Sequence, residues 1–437
     1  MLSWILLLEG QQQDNAKPAD IRIMAKQLVE LFAKGDFVTA TRNFDNIMKN
    51  AMPPDKLQQV WKTLIARVGS FKNQKDLRIE KFQEYTIVFV NCQFEKSLLD
   101  IKVVFNSSHK IVGLWFLTTQ PSAEYKEPSY ARSVFYREKT VLVGSGEWTL
   151  PGTLTVPVEG TVFPAVLLVH GSGPQDSDET IGPNKPFKDL ALGLASHGIA
   201  VLRYEKRTKQ YLSKFASINY SITPKEETID DALAAVALLR NTPGINPTKI
   251  FILGHSFGGM LIPKIASLDP SIRGFIIMAG SNRSMEDVLL EQLNYISSLD
   301  NAISKEEVAE LKKIQRQVDR IKDPTLNLLS TETLLGVPAK YWLYLRVYNP
   351  TEMAKKIIKP VLVLQGGRDY QVTMKDYQNW KTALSAKKNV AFKFYPDLNH
   401  LFVAGKGKST PSEYELPANV SEIVIDDISN WIKKVAP

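Results

Sequence analysis

The sequence predicts a small α+β domain followed by a larger α/β domain with a mainly parallel sheet and a helical insert. Three observations point there. Helical periodicity gives way to strand-like segments between residues 68 and 76, and strand and helix signals then alternate towards the C-terminus. One long stretch, 280–359, breaks that alternation with helical signals only. At 437 residues the chain also exceeds one ordinary domain.

Taken in order, residues 1–8 (MLSWILLL) form an apolar run far short of the ~18 residues that span a bilayer. The run resembles the middle of a secretory signal, without a preceding Lys or Arg and without a clear cleavage site. Residues 9–20 read as a flexible lead-in, and the whole 1–20 stretch as a signal remnant or, alternatively, a disordered cytoplasmic terminus. Residues 21–120 are expected to form the α+β domain. Ile21, Met24, Leu28, Leu31 and Phe32 lie on one helical stripe, and Gly35-Asp36 ends it. Phe37, Ala40, Phe44, Ile47 and Met48 suggest a second helix. Pro53-Pro54 opens a third, carrying Leu57, Val60, Trp61, Leu64 and Val68. Strands are expected at 76–82, 86–94, 98–105 and 111–117, with Trp61, Phe89 and Trp115 as core. Residues 121–130 read as a linker.

The second domain, 131–437, opens with strands at 139–143 and 150–155. The run AVLLVH (165–170) is apolar throughout, as a strand buried on both faces should be. Helices are expected at 187–197, 224–240 and 420–435, and strands at 199–204, 249–254, 274–279, 361–366 and 390–395. Thr223, Pro224 and Glu226 give the second of these helices a capped start, and Ser304 with Glu307 does the same inside the insert. The insert, 281–358, is expected to be all helical and to lie over the sheet edge as a lid.

Composition narrows the function classes. The 44% hydrophobic and 23% charged content is ordinary for a soluble globular chain. Cys92, the single cysteine, excludes an intrachain disulfide framework and a thiolate-rich metal cluster. The net charge of +8 comes without a block of five consecutive Lys or Arg, so no nucleic-acid partner is expected. No two histidines are spaced as ligands on one element, so neither metal nor cofactor is expected.

The chemistry-bearing signal is GHSFGG, residues 254–259, between a buried strand and a helix. A serine held in so sharp a turn needs neighbours without side chains, because the backbone must close tightly to expose the hydroxyl. Ser256 is therefore the candidate nucleophile. Such a serine needs a base and an orienting carboxylate. In the α/β-hydrolase pattern that GHSFGG resembles, these come in the order Ser, Asp, His, each on a loop beyond a strand. Asp369 follows the strand VLVLQGG and His400 follows VAFKFYP, which places each where its role requires it. Asp397 is the nearby rival for the acid, but it sits too close to the histidine. Oxyanion donors are expected from the backbone of Phe257, after the nucleophile, and of Ser172 or Gly173 in the loop after AVLLVH. His255 is expected to pack inward, His170 to brace the oxyanion loop, His197 to end a helix, and His109 to be exposed in a turn. Pro263, inside the helix after Ser256, predicts a kink or short break.

The segments HGSGPQDSDETIGPNKPFKDLALGLASHGIAVLRYEKRT, GHSFGGM and VLVLQGGRDYQVT resemble bacterial serine carboxylesterases of the α/β-hydrolase superfamily that carry a small amino-terminal nuclear-transport-factor-like domain. The resemblance runs from about residue 25 onward. It implies Ser256, Asp369 and His400 as triad and hydrolysis of carboxylic esters with small acyl groups. Ser177 stands where many such proteins have Arg, which speaks against a salt bridge or substrate contact built there. Many members are exported, so an extracytoplasmic protein is expected, with a cytoplasmic one as the alternative.

The expected reaction is two-step acyl transfer through an acyl-enzyme, with no cofactor, on a small-molecule ester. Tyr341, Trp342 and Tyr344, with Tyr348, are candidate pocket walls in the lid. An acyl thioesterase of acyl-CoA type is the nearest rival. A small-substrate peptidase or amidase is the second, although roughly 120 residues cannot build the propeller of related oligopeptidases. An inactive scaffold is a third reading, against which the complete triad argues. The first domain would serve as a ligand-binding or homo-oligomerising module.

Overall fold

The computed structural model describes residues 20–82, 85–118, 125–211, 214–215, 222–299 and 305–436. The apolar run at 1–8 and Ser304, the proposed cap in the insert, lie outside them. The chain divides into two compact units, Met1–Ser122 and Ala123–Pro437. Among the described residues no helix is long and apolar enough to cross a membrane.

In the first unit, strands β1 (Phe71–Phe82), β2 (Tyr85–Phe94), β3 (Leu98–Phe105) and β4 (Ile111–Thr118) form an antiparallel sheet in chain order. Alternate residues Val88, Val90, Cys92 and Phe94 turn to one face. They pack there with Ile101 and Val103 against Leu28 and Phe32 of helix Ile21–Lys34 and Leu57 and Trp61 of helix Pro54–Val68. Residues 37–48 do not form one helix. A short helix, Phe37–Ala40, passes into a 3₁₀ turn, Thr41–Asn43, and a new helix starts at Asn46. Asp45 accepts from the Met48 amide at 2.7 Å, so it caps rather than continues a helix, and Ile47 is left 79% exposed. Trp115 is not core either. An irregularity in the β3–β4 register, between the pairs Val104–Gly113 and Phe105–Ile111, shifts which residues face inward. Leu114 and Phe116 then pack on the core, while Trp115 lies outside under Lys102.

In the second unit, β5 (Tyr136–Val143), β6 (Leu150–Pro157), β7 (Phe163–Val169), β8 (Ala200–Tyr204), β9 (Ile245–His255), β10 (Gly274–Met278), β13 (Val361–Gly366) and β14 (Val390–Tyr395) build one sheet. Its order is β5-β6-β8-β7-β9-β10-β13-β14, parallel from β8 to β14, with β6 antiparallel to both β5 and β8. The continuous apolar run in β7 serves two cores. Ala165, Leu167 and Val169 face the helices Asp230–Arg240 and Phe257–Leu268, while Val166 and Leu168 face Pro186–Ser196 and Glu422–Val435. This is an α/β-hydrolase fold preceded by a small α+β domain.

The insert departs from the all-helical expectation. Between helix Lys305–Lys322 and helix Ala339–Arg346, Thr333–Leu334 (β11) and Val337–Pro338 (β12) pair as a small hairpin. Its two-residue loop, Leu335-Gly336, has positive φ at both positions, as a tight hairpin turn requires. The stretch from 224 also differs, because Lys225–Ile229 is π-helical before the α-helix begins. Pro263 causes no break: Phe257–Leu268 is one continuous helix, and the Tyr348 hydroxyl donates to the Met260 carbonyl, three residues before the proline, at 2.7 Å.

Candidate active site

Ser256 sits between β9 and the helix Phe257–Leu268 with φ 54°, ψ −116°, a conformation that costs a non-glycine residue about 1–3 kcal/mol. The turn is closed by absent side chains. A methyl on Gly254 would lie 2.4 Å from the Gly258 backbone, and one on Gly258 would lie 2.3 Å from the Val169 carbonyl oxygen. The strain holds because the Ser256 amide donates to the Met278 carbonyl at 2.9 Å while the helix locks the other side. Phe257 is the helix's first residue, so its amide is one of the N–H groups without an intrahelical partner, at the positive end of the helix dipole.

Asp369 and His400 are in direct contact. His400 Nδ1 donates to Asp369 Oδ2 at 2.7 Å, and both side chains are buried. The other carboxylate oxygen accepts from the amides of Gln371 and Val372, at 2.8 and 2.9 Å. Those two residues line a small pocket together with Ser256, Ser172 and Phe257. With Nδ1–H committed to the carboxylate, Nε2 of neutral His400 is left unprotonated, the form that accepts a proton. Asp397 is exposed and plays no part in this contact.

Ser172 also lines a cavity of about 330 Å³ with Gly173, Phe257 and the insert residues Met285, Leu289 and Trp342. Tyr341 closes it, its ring stacked on Phe257 at 6.3 Å and its hydroxyl donating to Glu227 at 2.5 Å. Tyr344 does not join them. It lies half-buried on the flank of its helix, in a separate groove with Thr223, Leu343 and Val347. Tyr348 is held by its bond to Met260.

Two buried ion pairs next to the site were not legible in the sequence. Glu179 accepts from His255 Nδ1 at 2.8 Å, and His255 Nε2 faces the carbonyl oxygen of His400 at 3.0 Å. Both partners of that imidazole are acceptors, so both nitrogens carry hydrogen and His255 is cationic. Burial works against each charge here. The mutual attraction prevails, holding Glu179 below the usual carboxylate range and raising His255. His255 is therefore a polar bridge rather than simple packing. The second pair joins Lys206 to Glu227 at 2.9 Å. Ser177 forms no ion pair, but its neighbour Asp178 does, with Arg203 and Lys185.

The remaining histidines are structural. His170 is buried, with Nε2 facing the Asp176 carbonyl at 3.0 Å, which braces the loop. His197 caps a helix end through the Gly193 carbonyl, and His109 is half-buried in its turn. Among the described residues no group of three or more His, Cys, Asp and Glu could hold a metal ion.

Comparison with known proteins matches residues 165–406 to the family described as serine aminopeptidase, S33. Residues 25–114 match DUF3887, described as a protein of unknown function. Over 407 residues the chain is 37% identical to esterase EstD of Thermotoga maritima, covering 93% of this chain and 94% of that protein. Among solved structures it is similar to Est1E from Butyrivibrio proteoclasticus, with 14% identity, 68% and 98% of the two chains covered and a TM-score of 0.44. It is also similar to an esterase of Pyrococcus furiosus, with 13% identity, 73% and 100% covered and a TM-score of 0.43.

Proposed function

Because the chain belongs to the serine-hydrolase family described as serine aminopeptidase, S33, and is a carboxylic ester hydrolase, we propose that it cleaves esters through Ser256, His400 and Asp369 by way of an acyl-enzyme. The observation that carries this reading is the Asp369–His400 bond of 2.7 Å on loops beyond β13 and β14, with the adjoining Gln371 and Val372 lining one pocket with Ser256, a serine strained into the turn after β9. His400 Nε2 takes the Ser256 proton as the oxygen attacks the ester carbonyl, and Asp369 stabilises the imidazolium. The developing oxyanion is held by the amide of Phe257 and by that of Ser172 or Gly173. The alcohol leaves with the proton from His400, and water activated by the same nitrogen releases the acid.

The cavity at Phe257 and Ser172 receives the acyl group. At about 330 Å³ it stands at the lower end of ligand pockets, which supports small acyl groups. Its wall of Met285, Leu289 and Trp342 favours an apolar chain. Export across a membrane is part of the same reading, resting on the apolar run at 1–8.

A fluorophosphonate probe tests the nucleophile. Labelling is expected in the native enzyme and absent in Ser256→Ala, and labelling that persists in the variant would refute the assignment. Rates on matched ester, thioester and aminoacyl amide substrates then fix the class, with the short-chain ester expected to be fastest.

A further inference from the structure

Gly171, two residues beyond β7, has both halves of its backbone held by buried charges. Its N–H donates to Glu179 Oε1 at 2.6 Å, and its carbonyl accepts from Lys206 Nζ at 2.8 Å. Glu179 is 1% exposed and Lys206 is 2% exposed. Gly171 also lies against the nucleophile, since a methyl there would sit 3.3 Å from Ser256 Cβ and 3.1 Å from Glu179 Oε1. The second oxygen of Glu179 binds His255, whose other nitrogen donates to the backbone of His400. The loop carrying the proposed oxyanion donors and the loop carrying the proposed base are thus joined through one carboxylate and one imidazolium.

We propose that Glu179 and His255 are positioning residues for ester hydrolysis, fixing the oxyanion loop at Gly171 and the backbone of His400 in one rigid frame around Ser256. The proposal rests on the triad reading above and adds a constraint to it. A neutral imidazole could not make both bonds, because one nitrogen would face an acceptor without a hydrogen. Glu179 itself takes a positive φ of 53°, a conformation unfavourable for a side chain of its size. Its carboxylate is thereby aimed at two groups from different segments. Burying an ion pair contributes little net stability compared with apolar packing of the same volume. Its placement between two catalytic loops gives it a different use, since errors of about 1 Å in such geometry cost on the order of 100-fold in rate.

The test compares wild type with Glu179→Gln, His255→Gln and the double variant, using a short-chain aryl ester. Active sites are counted by fluorophosphonate titration in each preparation, so that kcat is expressed per competent Ser256. Positioning predicts that each single variant loses about 10- to 100-fold in kcat with KM changed less than about threefold, because the defect lies in transition-state geometry. The double variant should lose no more than the worse single, since the two residues act as one unit. If Glu179→Gln does not yield folded protein, His255→Gln decides alone. Unchanged kcat per titrated site, or a rise in KM at constant kcat, would overturn the proposal. Failure of the wild type to titrate would instead overturn the nucleophile assignment, and the two failures are therefore distinct.

Discussion

The hydroxyl of Tyr341 donates to Glu227 across 2.5 Å, joining the inserted helix Ala339–Arg346 to the π-helical turn Lys225–Ile229 of the sheet domain. Burial and the adjacent carboxylate push the Tyr341 phenol well above its usual value, so it remains a donor. Tyr341→Phe removes that donor from a buried carboxylate still paired with Lys206, and should cost about 1–3 kcal/mol in urea unfolding. Tyr341→Ala also removes a wall of the cavity. Each methylene then accommodated should raise kcat/KM by roughly fourfold relative to wild type, given about 0.8 kcal/mol per buried CH₂. A profile of p-nitrophenyl esters of increasing acyl length checks this, and an unchanged profile would place the acyl group elsewhere.

Asp369 orients His400 by accepting from Nδ1. In Asp369→Asn the amide could offer its own N–H to that nitrogen, favouring the tautomer that carries hydrogen on Nε2 and cannot accept from Ser256. Turnover of an aryl ester should fall by about 10⁴-fold with the fold intact. His400→Ala should lower it by about 10⁴- to 10⁶-fold. A loss below tenfold in steady-state kcat for either variant would remove that residue from the mechanism.

The central strands of the large sheet were legible because they are apolar runs too short for a helix and bounded by turn residues, as AVLLVH shows. The Asp369–His400 pairing was legible because the fold places each residue after a particular strand. What stayed hidden depended on contacts distant in sequence. Glu179 meets His255 across 76 positions, and nothing local in QDSDET marks it apart from Asp176 or Asp178. Trp115 faces outward because one irregularity in register reverses the side that β4 presents, and periodicity alone cannot reveal it. The helix expected over 37–48 failed for a local reason: Asp45 bonds the Met48 amide and starts a new helix instead. Leu335-Gly336 lacks the usual Asn-Gly signature, so the hairpin in the insert left no clear signal.

Cys92 reports on the first unit. Its thiol is fully buried in the core between the sheet and the helices, and burial, aided by the charge of Asp100, pushes it up to about 12. The thiolate that reacts with disulfide reagents is therefore scarce and shielded. Native protein at pH 8 should show no labelling by a disulfide reagent over minutes, with one equivalent released on unfolding in guanidinium. Following labelling and ester hydrolysis together across a denaturant series compares the two units. Labelling that precedes loss of activity would show that the first unit opens on its own, whereas rapid labelling without denaturant would contradict the burial of Cys92.

His170 should make stability depend on pH in a defined direction. The ring packs against Phe187 and Tyr204, with centroids at 5.0 and 5.2 Å, and its Nε2–H donates to the Asp176 carbonyl. Burial holds its pKa down to about 4, against the opposing pull of Glu179. The unfolded chain takes up a proton at this residue near pH 6.5, but the folded chain does so only near 4. The unfolded state therefore binds more protons across that window, and stability is lost as pH falls from about 6.5 towards 4, by up to about 3 kcal/mol. His170→Gln keeps an N–H donor without the titration. The stability of wild type minus that of the variant should fall by roughly 2 kcal/mol between pH 7 and 4.5, measured by urea unfolding at each pH. Subtracting the variant cancels most of the titration shared by the other carboxylates and by His255. A difference that stays flat across the window would mean that His170 gains its proton as readily in the folded protein as in the unfolded chain.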